Sequence, residues 1–269
     1  MNLRQRVITS ILAIPLVLAP LVFTPLYSVL GAAVIILLLA HAEIRTFNGK
    51  AALPVPLLGL SALLISSHFI NDLPAWVPAV VGFMGIGSCL FVPHVPSDAA
   101  PWKRFLHAEW LSFAWIATTL WAFVAVHQRG NPNVLVDFRN PILFGFIPLW
   151  IGDTTAMLVG RRFGKHKLLA DVSPGKTWEG AISNFVANIL GAVLLGSLMG
   201  IDLTLAAAIG AGTGFLGQLG DLFESWIKRK FEVKDSGTLF PGHGGLLDRY
   251  DSLGFAALAI LSVLLLLRP

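Results

Sequence analysis

Asp221, Glu224 and Ser225 stand at positions i, i+3 and i+4 at the end of one apolar run, and Asp248 and Asp251 stand three apart at the start of another. On helices these spacings bring the oxygens of each group to one face. Carboxylates this close to a membrane-length apolar segment are costly unless a cation or water meets them. Between the groups lies the most charged stretch of the chain, Ser225 to Ser252, in which Lys228, Arg229, Lys230, Lys234 and Arg249 alternate with Glu232, Asp235, Asp248 and Asp251. Close carboxylates suit a hard cation such as Mg2+, and fixed cations around them suit phosphate oxygens. A loop that brought Asp221 to Asp248 would assemble an all-oxygen site whose shell substrate phosphates complete. The plainer alternative is that the acids simply pair with Lys228, Arg229 and Arg249. A mere tether would need neither arrangement, so the stretch points to nucleotide or phospholipid chemistry at a membrane surface.

A second polar group lies upstream. Asp153-Thr154-Thr155 ends an apolar run, and the loop after it carries Arg161, Arg162, Lys165, Lys167 and Lys176. Asymmetric placement of cations across a membrane would account for the basic residues, but not for Asp153 or for Ser173-Pro174-Gly175-Lys176-Thr177. The Gly-Lys-Thr triplet matches the end of a phosphate-binding P-loop, yet Ala170 occupies the first required glycine and no strand is expected before it. Pro241-Gly242-His243-Gly244-Gly245 reads as a turn whose backbone N–H groups can approach an anion. His243 has no His or Cys partner at zinc spacing, so a hydrogen-bonding or structural role fits it better than metal ligation.

These residues must be positioned by membrane helices. The chain is 55% hydrophobic and 13% charged, with mean hydropathy +0.76, which leaves too little charge for a soluble surface. About twenty apolar residues cross a bilayer as a helix, and the hydropathy pattern predicts nine segments, at 7–24, 27–42, 52–70, 75–92, 110–127, 141–160, 181–200, 203–227 and 251–267. The expectation is an all-α, polytopic integral membrane protein with its site on the cytoplasmic side. With the N-terminus cytoplasmic, all of the 19 Lys and Arg residues except Arg129, Arg139 and Arg268 fall on that side. Pro54, Pro56, Pro74 and Pro78 make 52–70 and 75–92 the weakest crossings, and a re-entrant pair there would preserve the orientation of everything after them.

The chain divides into N-terminal helices, 1–140, and C-terminal helices with both polar loops, 141–269, as one integrated membrane unit. The first half shows no spacing with an obvious chemical purpose. Gly210 and Gly214, followed by Gly217 and Gly220, suit close helix packing, with a groove-lining face as the rival reading. Trp102, Trp110, Trp150, Trp178 and Trp226 lie near span ends, as interfacial anchors do, and no nucleic-acid partner is expected. Cys89 is the single cysteine and excludes an intramolecular disulfide.

Taken in register, Ser225, Ile227, Lys228-Arg229, Lys234-Asp235, Gly237, Phe240-Pro241, His243-Gly244-Gly245-Leu246, Asp248-Arg249, Tyr250 and Asp251 resemble the signature of the phosphatidate cytidylyltransferases, also called CDP-diacylglycerol synthases. The resemblance extends through Asp153, the loop Gly160 to Lys167 and Ser173 to Gly180, and reaches the first 140 residues only by hydropathy. Tyr250 stands where relatives carry an aliphatic residue or Phe, Gly175 where many carry Lys, and Thr155 and Met157 replace a small residue and an aromatic. No charged signature position is changed.

The resemblance implies that phosphatidate attacks the α-phosphorus of CTP, giving CDP-diacylglycerol and pyrophosphate, with Mg2+ required and room for a second cation. It implies Asp221 and Asp248 as metal ligands supported by Ser225 and Asp251. Lys228, Arg229, Lys234, Asp235, His243 and Arg249 would form the catalytic set around the phosphates. Asp153, Ser173, Lys176, Thr177, Gly244 and Gly245 would bind substrate from both loops. The expected setting is a bacterial inner membrane, with CTP and phosphatidate as partners, acyl chains in the bilayer, and glycine-rich spans compatible with a homodimer. A cytidylyltransferase for an isoprenoid-type phospholipid is the rival enzyme. An ion-coupled transporter is the rival from another class, although transport needs polar residues through both leaflets and these cluster on one side.

Overall fold

Proline and capping residues set where the helices begin. In the computed structural model, which describes residues 25–47, 56–68, 74, 76–91, 99–129, 140–237, 239 and 244–267, these are α1 (Leu26–Phe47), α2 (Leu57–His68), α3 (Val77–Cys89), α4 (Pro101–His127), α5 (Pro141–Phe163), α6 (Trp178–Met199), α7 (Leu203–Lys230) and α8 (Leu247–Leu267). Proline occupies the first turn of α3, α4 and α5, where no backbone donor is lost. Side chains cap three starts: Asn140 Oδ1 accepts from Ile142 N at 3.0 Å, Thr177 Oγ1 from Gly180 N at 3.2 Å, and Asp202 Oδ1 from Leu205 N at 2.8 Å. Helix α6 stops at Gly200, whose φ of +68° a side chain would resist.

Helices α1 and α4 to α8 are long and apolar enough to cross a membrane, and the chain is a multi-pass membrane protein. The expected spans 27–42, 110–127, 141–160, 181–200, 203–227 and 251–267 all fall on them. Within the expected 52–70 and 75–92, the described residues form apolar helices of 12 and 13 residues. Proline marks the start of each: Pro56 immediately precedes α2 and Pro78 lies in the first turn of α3. The expected span 7–24 lies outside the described residues.

The sequence leads one to expect no strand before Lys176, and the structure corrects this. Strands β1 (Lys167–Leu169) and β2 (Ser173–Thr177) form an antiparallel hairpin with Lys167 opposite Thr177 and Leu169 opposite Ser173. Gly164, Pro174 and Gly175 disfavour a helix in this loop, and an extended backbone satisfies its polar groups instead. The described residues are otherwise helical or in loops.

Helix α4 is the interior element, with 89% of its apolar stretch buried against 28% for α6, whose Ile182, Leu190 and Leu194 face outward. A π-helical turn, Ser112–Ala117, interrupts α4, and the Thr118 and Thr119 hydroxyls bond back to Ala114 O and Trp115 O just after it. Phe223 of α7 joins the halves, its ring 5.3 Å from that of Trp115 on α4 and 5.6 Å from that of Phe255 on α8. The glycines of α7 serve packing: a methyl group at Gly210 or Gly214 would meet Asn188 of α6, at Gly217 Leu149 of α5, and at Gly220 the Asp251 backbone of α8. Four helices are thereby drawn together along α7, with the Gly220–Asp251 approach near the end from which the signature loop emerges.

Candidate active site

The close approach of Gly220 to Asp251 places the adjoining Asp221 beside α8, and β2 brings Lys176 to the same point. Lys176 Nζ lies 2.6 Å from Asp221 Oδ2, two residues 45 positions apart in sequence. The ammonium is buried and makes no well-directed hydrogen bond, although it stands at ion-pair distance. Arg229 fastens the hairpin from the other side, its Nε donating to Val172 O and its Nη1 to Val233 O, both at 3.2 Å. The two polar loops therefore form one structure.

Lys228 holds a second set. Its Nζ is 2.6 Å from both Glu224 Oε2 and Asp248 Oδ1, with all three side chains largely buried. Asp248 Oδ2 accepts from Gly245 N at 2.7 Å, Ser236 Oγ at 2.9 Å and Ser236 N at 3.1 Å. Glu224 Oε1 is buried with no hydrogen-bond partner. Asp251 is buried too, its Oδ1 accepting from Ser252 N at 2.6 Å and Ser252 Oγ at 3.1 Å.

Asp153 is approached by a chain of side-chain donors reaching up from the membrane interior. Asn188 Nδ2 donates to Asn184 Oδ1 at 2.9 Å and Asn184 Nδ2 to Asp153 Oδ1 at 2.9 Å, while the Thr213 hydroxyl beside Asn188 gives its proton to Ile209 O at 2.8 Å. Both amide donors point the same way, so the bonds polarise one another toward the carboxylate. Asn184 and Asn188, four apart in an apolar segment, are the sequence signal that reveals this ladder in hindsight.

These groups line a cleft of about 1490 Å³ whose walls include Asp153, Lys176, Thr177, Asp221, Glu224, Lys228, Asp235, Gly244, Asp248, Arg249 and Asp251. That exceeds the roughly 300–1,000 Å³ of an ordinary small-ligand pocket. Leu149, Met157, Ala181 and Leu253 supply an apolar part of the lining, so the cleft is amphipathic. Among the described candidates, Ser173, Ser225, Arg229, Lys234 and Gly245 stand off the lining. Ser173 pairs across the hairpin, Ser225 is buried in α7, Lys234 is exposed, and Gly245 gives its N–H to Asp248. Thr177 lines the cleft, but its hydroxyl caps α6. His243 lies outside the described residues.

The donor chemistry fits Mg2+. Asp153, Asp221 and Asp251 all line the cleft, and Asp153 and Asp251 each lie close enough to Asp221 to interact with it electrostatically. Among the described residues no three His, Cys, Asp or Glu side chains form a closed cage. A carboxylate or two facing an open space suits an ion that keeps water and takes substrate phosphates as further ligands. In the structure these acids are ion-paired, Asp221 with Lys176 and both Glu224 and Asp248 with Lys228.

One partner of the signature loop had no sequence signal. Glu43, on α1, accepts from Leu246 N at 2.5 Å, Leu247 N at 2.9 Å and Ser236 Oγ at 2.9 Å. The Tyr250 hydroxyl makes a hydrogen bond of 2.8 Å with Thr119 Oγ1 of α4.

Comparison with known proteins matches residues 4–267 to the cytidylyltransferase family. A phosphatidate cytidylyltransferase of Staphylococcus epidermidis is similar at 32% identity over 98% of this chain and 99% of its own length. Those of Staphylococcus saprophyticus and Staphylococcus aureus are similar at 33% and 34% identity, each over 71% of this chain and 80% of their own length.

Proposed function

This chain belongs to the cytidylyltransferase family, and from that membership and the geometry of the cleft we infer how it acts. It is a membrane nucleotidyltransferase that moves the cytidylyl group of CTP to phosphatidate, yielding CDP-diacylglycerol and pyrophosphate for phospholipid synthesis. The observation that carries the mechanistic reading is the meeting of both polar loops in one amphipathic cleft, with Lys176 against Asp221 and Lys228 against Asp248.

Phosphatidate is a phosphate monoester with a second pKa near about 6, so one of its oxygens is already anionic at neutral pH. That oxygen attacks the α-phosphorus, the bond to the β-phosphate oxygen breaks, and pyrophosphate leaves with the electron pair. No general base is required. The difficulty is repulsion between two polyanions, which fixed cations and positioning overcome. Lys176 and Lys228 turn from their carboxylates to phosphate oxygens, and Arg249 adds charge at the exposed rim. Asp153, held by Asn184, fixes the wall opposite α8. Asp221 and Asp251 are the residues that would hold Mg2+, joined by Asp248 once Lys228 has turned. When bound, the ion supplies neutralisation of the triphosphate oxygens. The apolar lining receives the glycerol end of the lipid while its acyl chains stay in the bilayer.

The positive-inside distribution supports a cytoplasmic N-terminus, with both loops on the side where CTP is available. The direct test is incubation of purified protein with radiolabelled CTP, Mg2+ and either phosphatidate or an isoprenoid phosphate, followed by separation of the lipids. Label entering CDP-diacylglycerol is the expected result. Label entering only the isoprenoid product would reassign the substrate.

A further inference from the structure

We propose that Glu43 is a positioning residue for the transfer: a carboxylate in the N-terminal half that fixes the signature loop and, through it, Asp248. The first N–H groups of a helix have no partner within it and carry the positive end of its dipole. At the start of α8, Leu246 N and Leu247 N give theirs to Glu43, and Gly245 N gives its own to Asp248. A buried carboxylate on a distant helix thus does the work of a cap.

The loop is shaped around that carboxylate. A methyl group at Gly237 or Gly245 would run into the Glu43 side chain, so both glycines permit the backbone to wrap it. Ser236 Oγ lies 2.9 Å from Glu43 Oε2 and 2.9 Å from Asp248 Oδ2, which ties the two acids through one hydroxyl. Asp248 is the acid that Lys228 bridges to Glu224. Glu43 is not part of the cleft lining and acts only through these neighbours. Without it, two N–H groups lose their acceptor and the Ser236 hydroxyl keeps only Asp248, the start of α8 frays, and Asp248 and Arg249 lose their fixed distance from Lys228.

This proposal rests on the reaction assigned above, so its test carries a readout independent of that reaction. Glu43→Gln and Glu43→Ala are compared in full-length protein, each also in a Cys89→Ser, Leu239→Cys background. Leu239 is an exposed residue of the same loop. Turnover should fall by roughly ten- to a hundredfold, the scale of a displacement of about 1 Å at a reacting centre. The loss should sit in kcat rather than in KM for CTP. The Gln variant should retain more activity than the Ala variant, because its amide oxygen still accepts one N–H. Alkylation of the Leu239→Cys thiol by a soluble maleimide should quicken in the same order. Unchanged labelling rates in both variants, or lost activity accompanied only by a lower melting temperature, would overturn the proposal. If wild-type protein made no CDP-lipid, the labelling comparison would still decide the role of Glu43 while the assigned reaction failed. If Glu43→Ala does not insert, Glu43→Gln alone decides, by both readouts.

Discussion

Lys176 and Asp221 meet at 2.6 Å, so each is the other's counter-ion whenever substrate is absent. Removing either must change both phosphate binding and the affinity of Asp221 for a cation. A single charge-assisted phosphate contact contributes about 1.5–3 kcal/mol, so Lys176→Ala should cost roughly ten- to a hundredfold in turnover. It should also lower the Mg2+ concentration at half-maximal activity, because Asp221 loses its competing ammonium. Asp221→Ala should lower activity and raise the Mg2+ requirement. Mg2+ titrations of CDP-lipid formation check both, and a raised requirement in Lys176→Ala would remove Asp221 from the metal set. Lys228 is different, because its partners Glu224 and Asp248 are nearly buried. Lys228→Met leaves their charges uncompensated, and the expected loss is about 3–5 kcal/mol of stability together with activity, read by thermal unfolding in detergent. Much of this constellation was legible in the sequence, because charged side chains next to membrane-length apolar runs have few other uses. The pairing of Lys176 with Asp221 was not, since no local spacing reports which loops meet.

Helices α5, α6 and α7 converge on Asn188, which Gly152, Gly210 and Gly214 all accommodate. The sequence showed the glycines and favoured helix packing for them, with groove lining as the rival. The structure assigns them to packing around a polar ladder that ends on Asp153. Packing and ladder can be separated. A methyl group at Gly152 would run into the Asn188 amide nitrogen, so Gly152→Ala should cost about 1–3 kcal/mol through overpacking. Adding Asn188→Ala should restore much of the melting temperature by removing that amide, yet leave activity low because Asn184 has lost its donor. Recovery of both properties in the double variant would reduce the ladder to ordinary helix packing. The spans themselves were readable because some twenty apolar residues announce a crossing. Composition blurs helix ends, and proline sharpens the starts of α2 and α3. Glu43 was unreadable for a further reason: its partners Ser236 and Leu247 lie 193 and 204 residues away.

At the scale of the whole molecule, the site works only if both loops face the compartment that holds CTP. The hairpin and the end of α7 are joined by Arg229, so they must share one side of the membrane. The excess of Lys and Arg in the same segments predicts the cytoplasmic side. Asp171 in the hairpin turn and Leu239 in the signature loop are both exposed and stand off the cleft lining, which makes them suitable reporters. Cysteines placed there, in a Cys89→Ser background, should react with an impermeant maleimide in inside-out vesicles and resist it in intact cells. Cys89 is buried, so its replacement leaves the reporters alone on a silent background. Reaction of both positions in intact cells would invert the molecule and place the cleft away from its nucleotide. Reaction from opposite sides would contradict the contact between Arg229 and Val172 on which the composite site depends.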